Sequence, residues 1–411
     1  MKILHTADIH FGSNAYGRID PETGLNTRLL DFKKSFDFLV EKAIEEDIDL
    51  FLFAGDAYRT ADPTPTQQKA FAECLRPIAE KGIPIVMIVG NHDHPVSYGK
   101  ASALDIFPFL EGDIHVFRKA DLATIETKAG PLQLIALPWP IRSMLLAKED
   151  YRKLSSVEIK EVIEEKYLQF LQAAVGELDP NLPTVLTAHL TVQGAALSGS
   201  EQTSLIAHEP KFTVGQLGHP EIDYVALGHI HRYQDRHEGE HPPIVYSGSI
   251  EYVSFKEWDH EKGFVIVDID VDEEGKKSTS FSFIPTPARP FVAIDIDARD
   301  SDEATKKIVG AIKKAGVKDG IVRVRYQVGE DHAAEVDLAA VRKALKKAHA
   351  IAAIERIAEP VERERRTVVT RESTLEEALR HYIAQHEHLG PIEDAMIQKA
   401  LELEASLDNR S

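Results

Sequence analysis

Short runs of consecutive apolar residues recur along the chain, separated by stretches with helical spacing. "KILHTA" is the first, and "IDLFLFAG", "IPIVMIVG", "PTVLTA", "DYVALG" and "IVYSGS" follow. Each has strand length. Unbroken apolarity suits strands covered on both faces, because successive side chains point to opposite sides. Between the first two runs, Leu29, Phe32, Phe36, Leu39, Val40 and Ala43 recur at helical spacing. A second helix is predicted near residues 65–79. A third is predicted from Ser155, which with Glu158 has the spacing of a capping box, to about Val175. This βαβα start predicts a layered α/β core. Residues 191–220 read as loop, and "GFVIVDID" and "STSFSFIPT" alternate like an antiparallel hairpin.

Beyond this the pattern changes. "PFVAIDID", a helical stretch, "GIVRVRYQV", a second helical stretch and "AAIERIAEPV" predict β-α-β-α-β. The chain therefore divides into a main domain over 1–288, a small α/β domain over 289–360, a linker over 361–372 and a helical hairpin over 373–408. The linker, within "ERERRTVVTRES", has no apolar periodicity. The hairpin starts at a capping box predicted for Ser373 and Glu376 and is punctuated by Gly390-Pro391. Its two apolar stripes, one through Leu375, Leu379, Tyr382 and Ile383 and one through Ile392, Met396, Ala400 and Leu403, are too many for so short a pair to bury alone. They call for a partner surface.

Composition narrows the picture. The formal net charge of −19 argues against a wholly basic nucleic-acid coat, although it leaves room for a local basic patch. The single cysteine, Cys74, excludes an intrachain disulfide. No run approaches the ~20 apolar residues of a membrane span, and the N-terminus lacks the pattern of a signal peptide. The expected location is the cytoplasm, with no membrane partner.

The chemistry lies at the strand ends. "KILHTA" runs into Asp8-Ile9-His10, "LFLFAG" into Asp56, "VMIVG" into Asn91-His92-Asp93-His94, "TVLTA" into His189 and "YVALG" into His229-Ile230-His231. In α/β sheets, ligands bind beyond the carboxyl ends of the strands. Oxygen and nitrogen donors without thiolate suit Mn, Fe, Zn, Ni or Co. Six or seven such groups suit two ions ~3.5–4 Å apart, the arrangement that clamps the attacking and leaving oxygens of an in-line displacement at phosphorus. Asp56, central in the order, is the natural bridging anion. Ions of this kind activate water, so no Ser or Cys nucleophile is needed. Glycines before Asp56, Asn91 and His229 allow tight exits toward a shared cluster.

D-x-H, GD, GNHD, a later H and GH-x-H, in this order, are the motifs of the calcineurin-like metallophosphoesterase superfamily, which the sequence resembles. "LHTADIHFG", "FLFAGDAYRTADPTP", "IVGNHDHP", "DYVALGHIHR" and "YSGSIEYVSFKE" are similar to the SbcD-type nuclease subunits of SbcCD DNA-repair complexes. The resemblance implies an α/β sandwich of two mixed sheets flanked by helices, with a small α/β capping domain that contacts DNA and a C-terminal helical hairpin. It implies that Asp8, His10 and His231 hold one ion, that Asn91, His189 and His229 hold a second, and that Asp56 bridges. His92 would protonate the leaving oxygen or stabilise the phosphorane, oriented by Asp93. The implied cofactors are two Mn2+ ions, with Mg2+, Fe2+ or other divalent ions as alternatives. The implied partners are DNA, an SMC-like ATPase bound through the hairpin, and a second copy of the chain.

One position departs from the pattern. Where such nucleases often carry histidine three residues after the bridging aspartate, this chain has Arg59. Arginine cannot shuttle a proton at neutral pH but can hold a phosphate, so Arg59 reads either as a substrate contact or as a surface residue. Arg232, after GHIH, is a second candidate for phosphate. Tyr16 and Arg18 in the loop after His10, and Arg323 and Arg325 in "GIVRVRYQV", are weaker candidates for DNA. His5 reads as a core residue with its polar atoms satisfied. The expected function is a Mn-dependent DNA nuclease, with both 3'-5' exonuclease and endonuclease action, in double-strand-break repair. Hydrolysis of nucleotides or other small phosphate esters, and a non-catalytic DNA-end scaffold, are the alternatives.

Overall fold

Two six-stranded sheets face each other across a shared apolar layer. The first contains β1 (Lys2–Thr6), β2 (Leu50–Phe53), β3 (Ile85–Ile88), β4 (Ile114–Phe117), β13 (Gly263–Val271) and β14 (Lys277–Pro285), in the order β14-β13-β1-β2-β3-β4. The second contains β5 (Asp121–Thr127), β6 (Gly130–Leu137), β7 (Thr184–His189), β10 (Tyr224–Gly228), β11 (Gln234–Asp235) and β12 (Ile244–Tyr246), in the order β11-β12-β10-β7-β6-β5. A short parallel pair, β8 (Thr191–Val192) and β9 (Lys211–Phe212), lies apart from both. Both large sheets are mixed: β1 to β4 run parallel, as do β6, β7, β10 and β12, whereas β13, β14, β5 and β11 pair antiparallel. This computed structural model describes residues 1–95, 99–140, 151, 153–199, 209–299, 301, 303–329, 336–357, 374–384 and 392–408.

Strand alternation explains the unbroken apolar runs. Ile3, Leu50, Leu52, Val86 and Ile88 of the first sheet meet Leu132, Leu134, Val185, Tyr224, Ala226 and Val245 of the second in the layer between them. The alternate residues Leu4, Phe51, Phe53, Ile85 and Met87 turn outward to the apolar stripes of α1 (Thr27–Glu45) and α2 (Pro65–Glu80). On the far side, Leu186, Ala188, Val225 and Leu227 meet Leu171 and Ala174 of α3 (Ser156–Gly176). Ser155 caps α3 with the reciprocal Glu158 bond, as its spacing predicts. A one-turn helix, α4 (Val214–Leu217), precedes β10. The apolar-run criterion passes over β4, β5 and β6. "IHVF" is short, and β5 is a half-exposed edge strand whose polar residues interrupt the run.

The chain continues into a three-stranded sheet, β15 (Phe291–Asp297), β16 (Ile321–Gln327) and β17 (Ala350–Arg356), with α5 (Ala304–Lys314) and α6 (Leu338–Ala344) on it. Its own core includes Ile294, Ile308, Ile312, Val322, Val324, Val341 and Leu345. It is fastened to the sandwich by aromatic and ionic contacts. Phe291 stacks on Tyr252 at 4.9 Å and meets Phe255 and Tyr16. Arg289 grips both oxygens of Asp31 at 2.7 and 2.6 Å, and the buried Arg28 bonds the same carboxylate at 2.7 Å. Residues Met1–Glu355 form one compact unit and Arg356–Ser411 a second. Tyr16 thus holds the loop after His10 against β15.

In the second unit, α7 (Leu375–Ala384) and α8 (Glu393–Asp408) touch, and Arg380 links Glu376 and Glu393 at 3.0 Å each. The reciprocal cap is made by Thr374 and Glu377, one position later than the Ser373–Glu376 spacing predicts. Ser373 and the expected linker, 361–372, lie outside the described residues. Among the described residues, no helix is long and apolar enough to cross a membrane.

His5 ties the two sheets together. Its Nε2 donates to the Leu227 carbonyl at 3.2 Å, and its Nδ1 accepts from the Tyr224 hydroxyl at 3.0 Å, which satisfies a neutral ring. Burial pushes the imidazole down to about 3. The unfolded chain takes up this proton near the ordinary value of ~6.5, and the folded chain does not until about pH 3. This contribution is therefore intact above ~pH 6.5 and is lost as pH falls toward 3. In denaturant titrations, the stability of the wild type relative to His5→Gln is expected to drop by ~2 kcal/mol between pH 7 and pH 5. A constant difference would show that His5 is not held neutral.

Candidate metal centre

The strand ends converge from both sheets. Asp8 and His10 follow β1, Asp56 follows β2, and Asn91, His92 and Asp93 follow β3. From the second sheet, His189 ends β7, and His229 and His231 follow β10. Backbone bonds lace the loops together: Asp8 N–H donates to the Gly55 carbonyl at 2.9 Å, and His10 N–H to that of Asp56 at 3.0 Å. Two glycines allow these close approaches, Gly90 between neighbouring strand ends of the first sheet and Gly228 between the two sheets. A Cβ at Gly90 would lie 2.1 Å from Asp56 Oδ1, and one at Gly228 would lie 2.1 Å from the Ala54 carbonyl oxygen. Asp8, His10, Asp56 and His229 all adopt positive φ, at 52, 50, 60 and 96°. Left-handed backbone costs a non-glycine residue free energy, and its concentration on four strand-end residues marks a functional site.

The side chains gather in three overlapping groups. Asp8, His10 and His231 bring donor atoms within 4.8 Å of one another, as do Asp8, Asp56 and His189, and His10, Asp56 and His92. His10 Nε2 and His231 Nε2 are 2.9 Å apart. Asn91 Oδ1 lies 3.0 Å from His189 Nε2 and 3.1 Å from His229 Nδ1. Asp56 Oδ2 sits between the groups, 3.6 Å from His10 Nε2 and 3.5 Å from His189 Nε2. The seven expected ligands are thus brought together, with Asp56 in the middle.

The electrostatics call for a cation. Asp8 and Asp56 are buried, and among the described residues neither is paired with Lys or Arg. Burial pushes the Asp8 carboxyl up to about 6, against the pull of His189 and His231. Burial would raise Asp56 as well, but the imidazoles of His189, His10 and His92 outweigh it and hold Asp56 well below the usual range. His189 is the counterpart: burial pulls it down, Asp56 and Asp8 pull harder, and it rises to about 9. Its Nδ1 donates to the Ala54 carbonyl at 2.8 Å, so Nε2 either carries the second proton that the raised value favours or, once that proton is given up, offers a lone pair. That lone pair faces the oxygens of Asn91 and Asp56. Acceptor facing acceptor needs positive charge between them, which the His189 proton or a bound cation supplies, and divalent ions fit this donor set.

His92 is the half-exposed imidazole of the group, set edge-on to His10 at 4.7 Å. Its Nδ1 donates to the Arg59 carbonyl at 3.0 Å, which leaves Nε2 for proton transfer. The expected Asp93–His92 contact is not formed. Asp93 instead accepts backbone N–H groups, from Asp56 at 2.8 Å and from Tyr58 and Gly90 at 3.1 Å, because its carboxylate is turned beneath the loops. Orientation of His92 falls to the Arg59 backbone, while the Arg59 side chain is exposed beside the cluster. Arg232 is exposed as well. Arg325 pairs with its strand neighbour Asp295, and Arg323 lies over the Phe255 ring at 4.7 Å.

Three contributors escape the strand-end reading. Trp139, just past β6, packs against His229 with ring centroids 5.1 Å apart. Recognising β6 would have exposed it, since β6 runs parallel to β7 and also ends toward the cluster. Glu257 accepts from His231 Nδ1 at 3.0 Å, and Glu209 from His229 Nε2 at 2.9 Å. Glu257 lies in the quoted "YSGSIEYVSFKE" stretch, but Glu209 stands in a loop where no sequence signal marks it.

A family model described as calcineurin-like phosphoesterase matches residues 1–233. The D subunit of the SbcCD nuclease from Bacillus subtilis is 31% identical over 291 residues, covering 67% of this chain and 68% of that protein. The protein of the same name from Staphylococcus epidermidis is 28% identical over 305 residues, 73% of this chain and 74% of its own. That of Escherichia coli K12 is 27% identical over 262 residues, 62% of each.

Asp93 carries no role in these contacts except to hold the loops. Asp93→Asn leaves one accepting oxygen for three N–H donors and is expected to cost ~1–3 kcal/mol in denaturant unfolding. Faster amide exchange at Asp56 and Tyr58 should accompany the loss. Unchanged exchange there would contradict this role.

Proposed function

This chain belongs to the calcineurin-like phosphoesterase family, and on that premise we propose that it is a Mn2+-dependent DNA nuclease, with exonuclease and endonuclease action, that works with an SMC-like ATPase in DNA-end processing. The family implies a metal-dependent phosphoester hydrolase. The observation that carries the reading is the shared carboxylate: Asp56 Oδ2 lies between His10, which groups with Asp8 and His231, and His189, whose Nε2 meets Asn91 beside His229. Asp8, His10 and His231 would hold one ion, Asn91, His189 and His229 the other, and Asp56 would bridge. Bound ions supply Lewis-acid charge to a phosphoryl oxygen and activate water for in-line attack.

The remaining residues serve the substrate. His92, its Nδ1 donating to the Arg59 carbonyl, presents Nε2 to the leaving oxygen; burial lowers its pKa, so a proton taken up there is readily passed on. Arg59 and Arg232, both exposed, offer guanidinium groups to flanking phosphates. Trp139 covers His229 and His189 and shields that side of the cluster from water. DNA as substrate and the ATPase as partner follow from the likeness to SbcD-type nucleases. Leu375 and Tyr382 on α7, Leu401 on α8 and Ile392 just before α8 are exposed, which supports this hairpin as the ATPase-binding segment. Pairing of two copies is carried over from the same likeness.

With Mn2+ and hairpin or linear duplex DNA, the protein is expected to release nucleotides, and EDTA should abolish this. His92→Ala should lower turnover by ~100-fold or more while leaving Mn2+ binding intact. Cleavage of a chromogenic bis-phosphodiester with none of any DNA, even beside the ATPase, would favour a small-ester hydrolase instead. A chain ending at Arg371 should lose co-purification with the ATPase and keep its Mn2+. Survival of the association would remove the hairpin from this role.

A further inference from the structure

One strand end supplies two imidazoles, and a different carboxylate grips each from behind. His229 turns Nδ1 to Asn91 Oδ1 at 3.1 Å and Nε2 to Glu209 Oε2 at 2.9 Å. His231 does the reverse, with Nε2 facing His10 Nε2 at 2.9 Å and Nδ1 facing Glu257 Oε1 at 3.0 Å. An ionised carboxylate only accepts, so the ring nitrogen against it carries the proton, and in the neutral ring the other offers its lone pair toward the cluster. We propose that Glu209 and Glu257 are positioning residues that fix these histidines in opposite tautomers. One strand end then serves two neighbouring cations, through Nδ1 of His229 and through Nε2 of His231. The inference rests on the reading of this cluster as a divalent-metal centre.

The backbone explains why two carboxylates are needed. His229 has φ of 96° and its N–H donates to both oxygens of Asp8, at 3.1 and 2.9 Å, whereas His231 lies two residues further, past the turn. The two rings therefore enter the cluster from different directions and present different nitrogens. A mobile ring could offer either one, and a fixed hydrogen bond at the opposite nitrogen removes that choice.

The two grips differ in rigidity. Glu257 is buried in the 3-10 turn Phe255–Glu257. Its second oxygen accepts from Lys262 Nζ at 2.6 Å and from the Val253 N–H at 3.1 Å, and Lys262 also donates to Ser249 Oγ at 2.9 Å. The turn is anchored in turn, since Phe255 meets Phe291 and lies under Arg323. Glu209 is partly exposed and, among the described residues, has one further hydrogen bond, from Thr191 Oγ1 at 3.4 Å.

Titration calorimetry of Mn2+ into the full-length chain tests this, together with two-bond proton–nitrogen spectra of its histidines after metal removal. The wild type should bind two ions and show His231 as the Nδ1–H tautomer. Glu209→Ala and Glu257→Ala should each weaken a different one of the two binding events by about 10- to 100-fold. Glu209→Gln keeps an accepting oxygen and should restore most of its loss. Because Glu257→Ala strands the Lys262 charge, Glu257→Ala with Lys262→Met is the companion variant. It should show the same weakened event and His231 converted to Nε2–H. Two ions bound by the wild type, with unchanged affinities and an unchanged His231 tautomer in the variants, would overturn the inference alone. A wild type that binds no Mn2+ would overturn the metal centre beneath it as well.

Discussion

Two carboxylates without solvent, Asp8 and Asp56, set the terms for everything around them. Removing an ionised carboxylate from water costs several kcal/mol unless charge and hydrogen bonds replace the water. Here the compensation comes from imidazoles and main-chain amides. His229 N–H serves both oxygens of Asp8, and His92 N–H serves Asp56 Oδ1 at 2.8 Å. The oxygen left over, Asp56 Oδ2, looks into the midst of His10 and His189. A site so arranged is poised for positive charge, which is the requirement of a phosphoester-hydrolysing centre.

The left-handed residues at Asp8, His10, Asp56 and His229 follow from the same demand. Strands end where the sheet's hydrogen bonding ends, and only a sharp turn brings the next side chain back over the strand tips. That strain is sustained because the tight turns are over-determined. Asp93 collects three N–H groups from below, and Phe71 packs against Phe11 and Tyr58, which follow His10 and Asp56 in the chain. The aromatic layer on α2 is thus as much a support for the centre as a store of stability.

Residues 251–257 link the centre to the small three-stranded sheet. Glu251 meets Arg28 and the Arg289 N–H, Tyr252 stacks on Phe291, and Glu257 holds His231. Contacts that seat the small sheet and the contact that orients His231 therefore share one seven-residue segment. A shift of that sheet has a physical route to His231 through packed rings and buried ion pairs, without any contact to the cluster itself.

The sequence by itself determined which residues could carry chemistry and which strands bear them. Five apolar runs, each ending in Asp, His or Asn, were legible because buried strands need continuous apolarity and because ligand atoms cluster at their carboxyl ends. The β-α-β-α-β order of residues 291–356 and the α3 cap were legible for similarly local reasons. The two-sheet sandwich was legible through the family resemblance, but only the tertiary structure decided which ends each sheet supplies, that Asp93 serves the loops and not His92, and that Glu209, Glu257 and Trp139 pack against the cluster. Local spacing encodes the fate of a backbone within a few residues. Partners such as His231 and Glu257, or His229 and Glu209, are chosen by how separate strands meet, and that is settled only when the whole apolar layer packs.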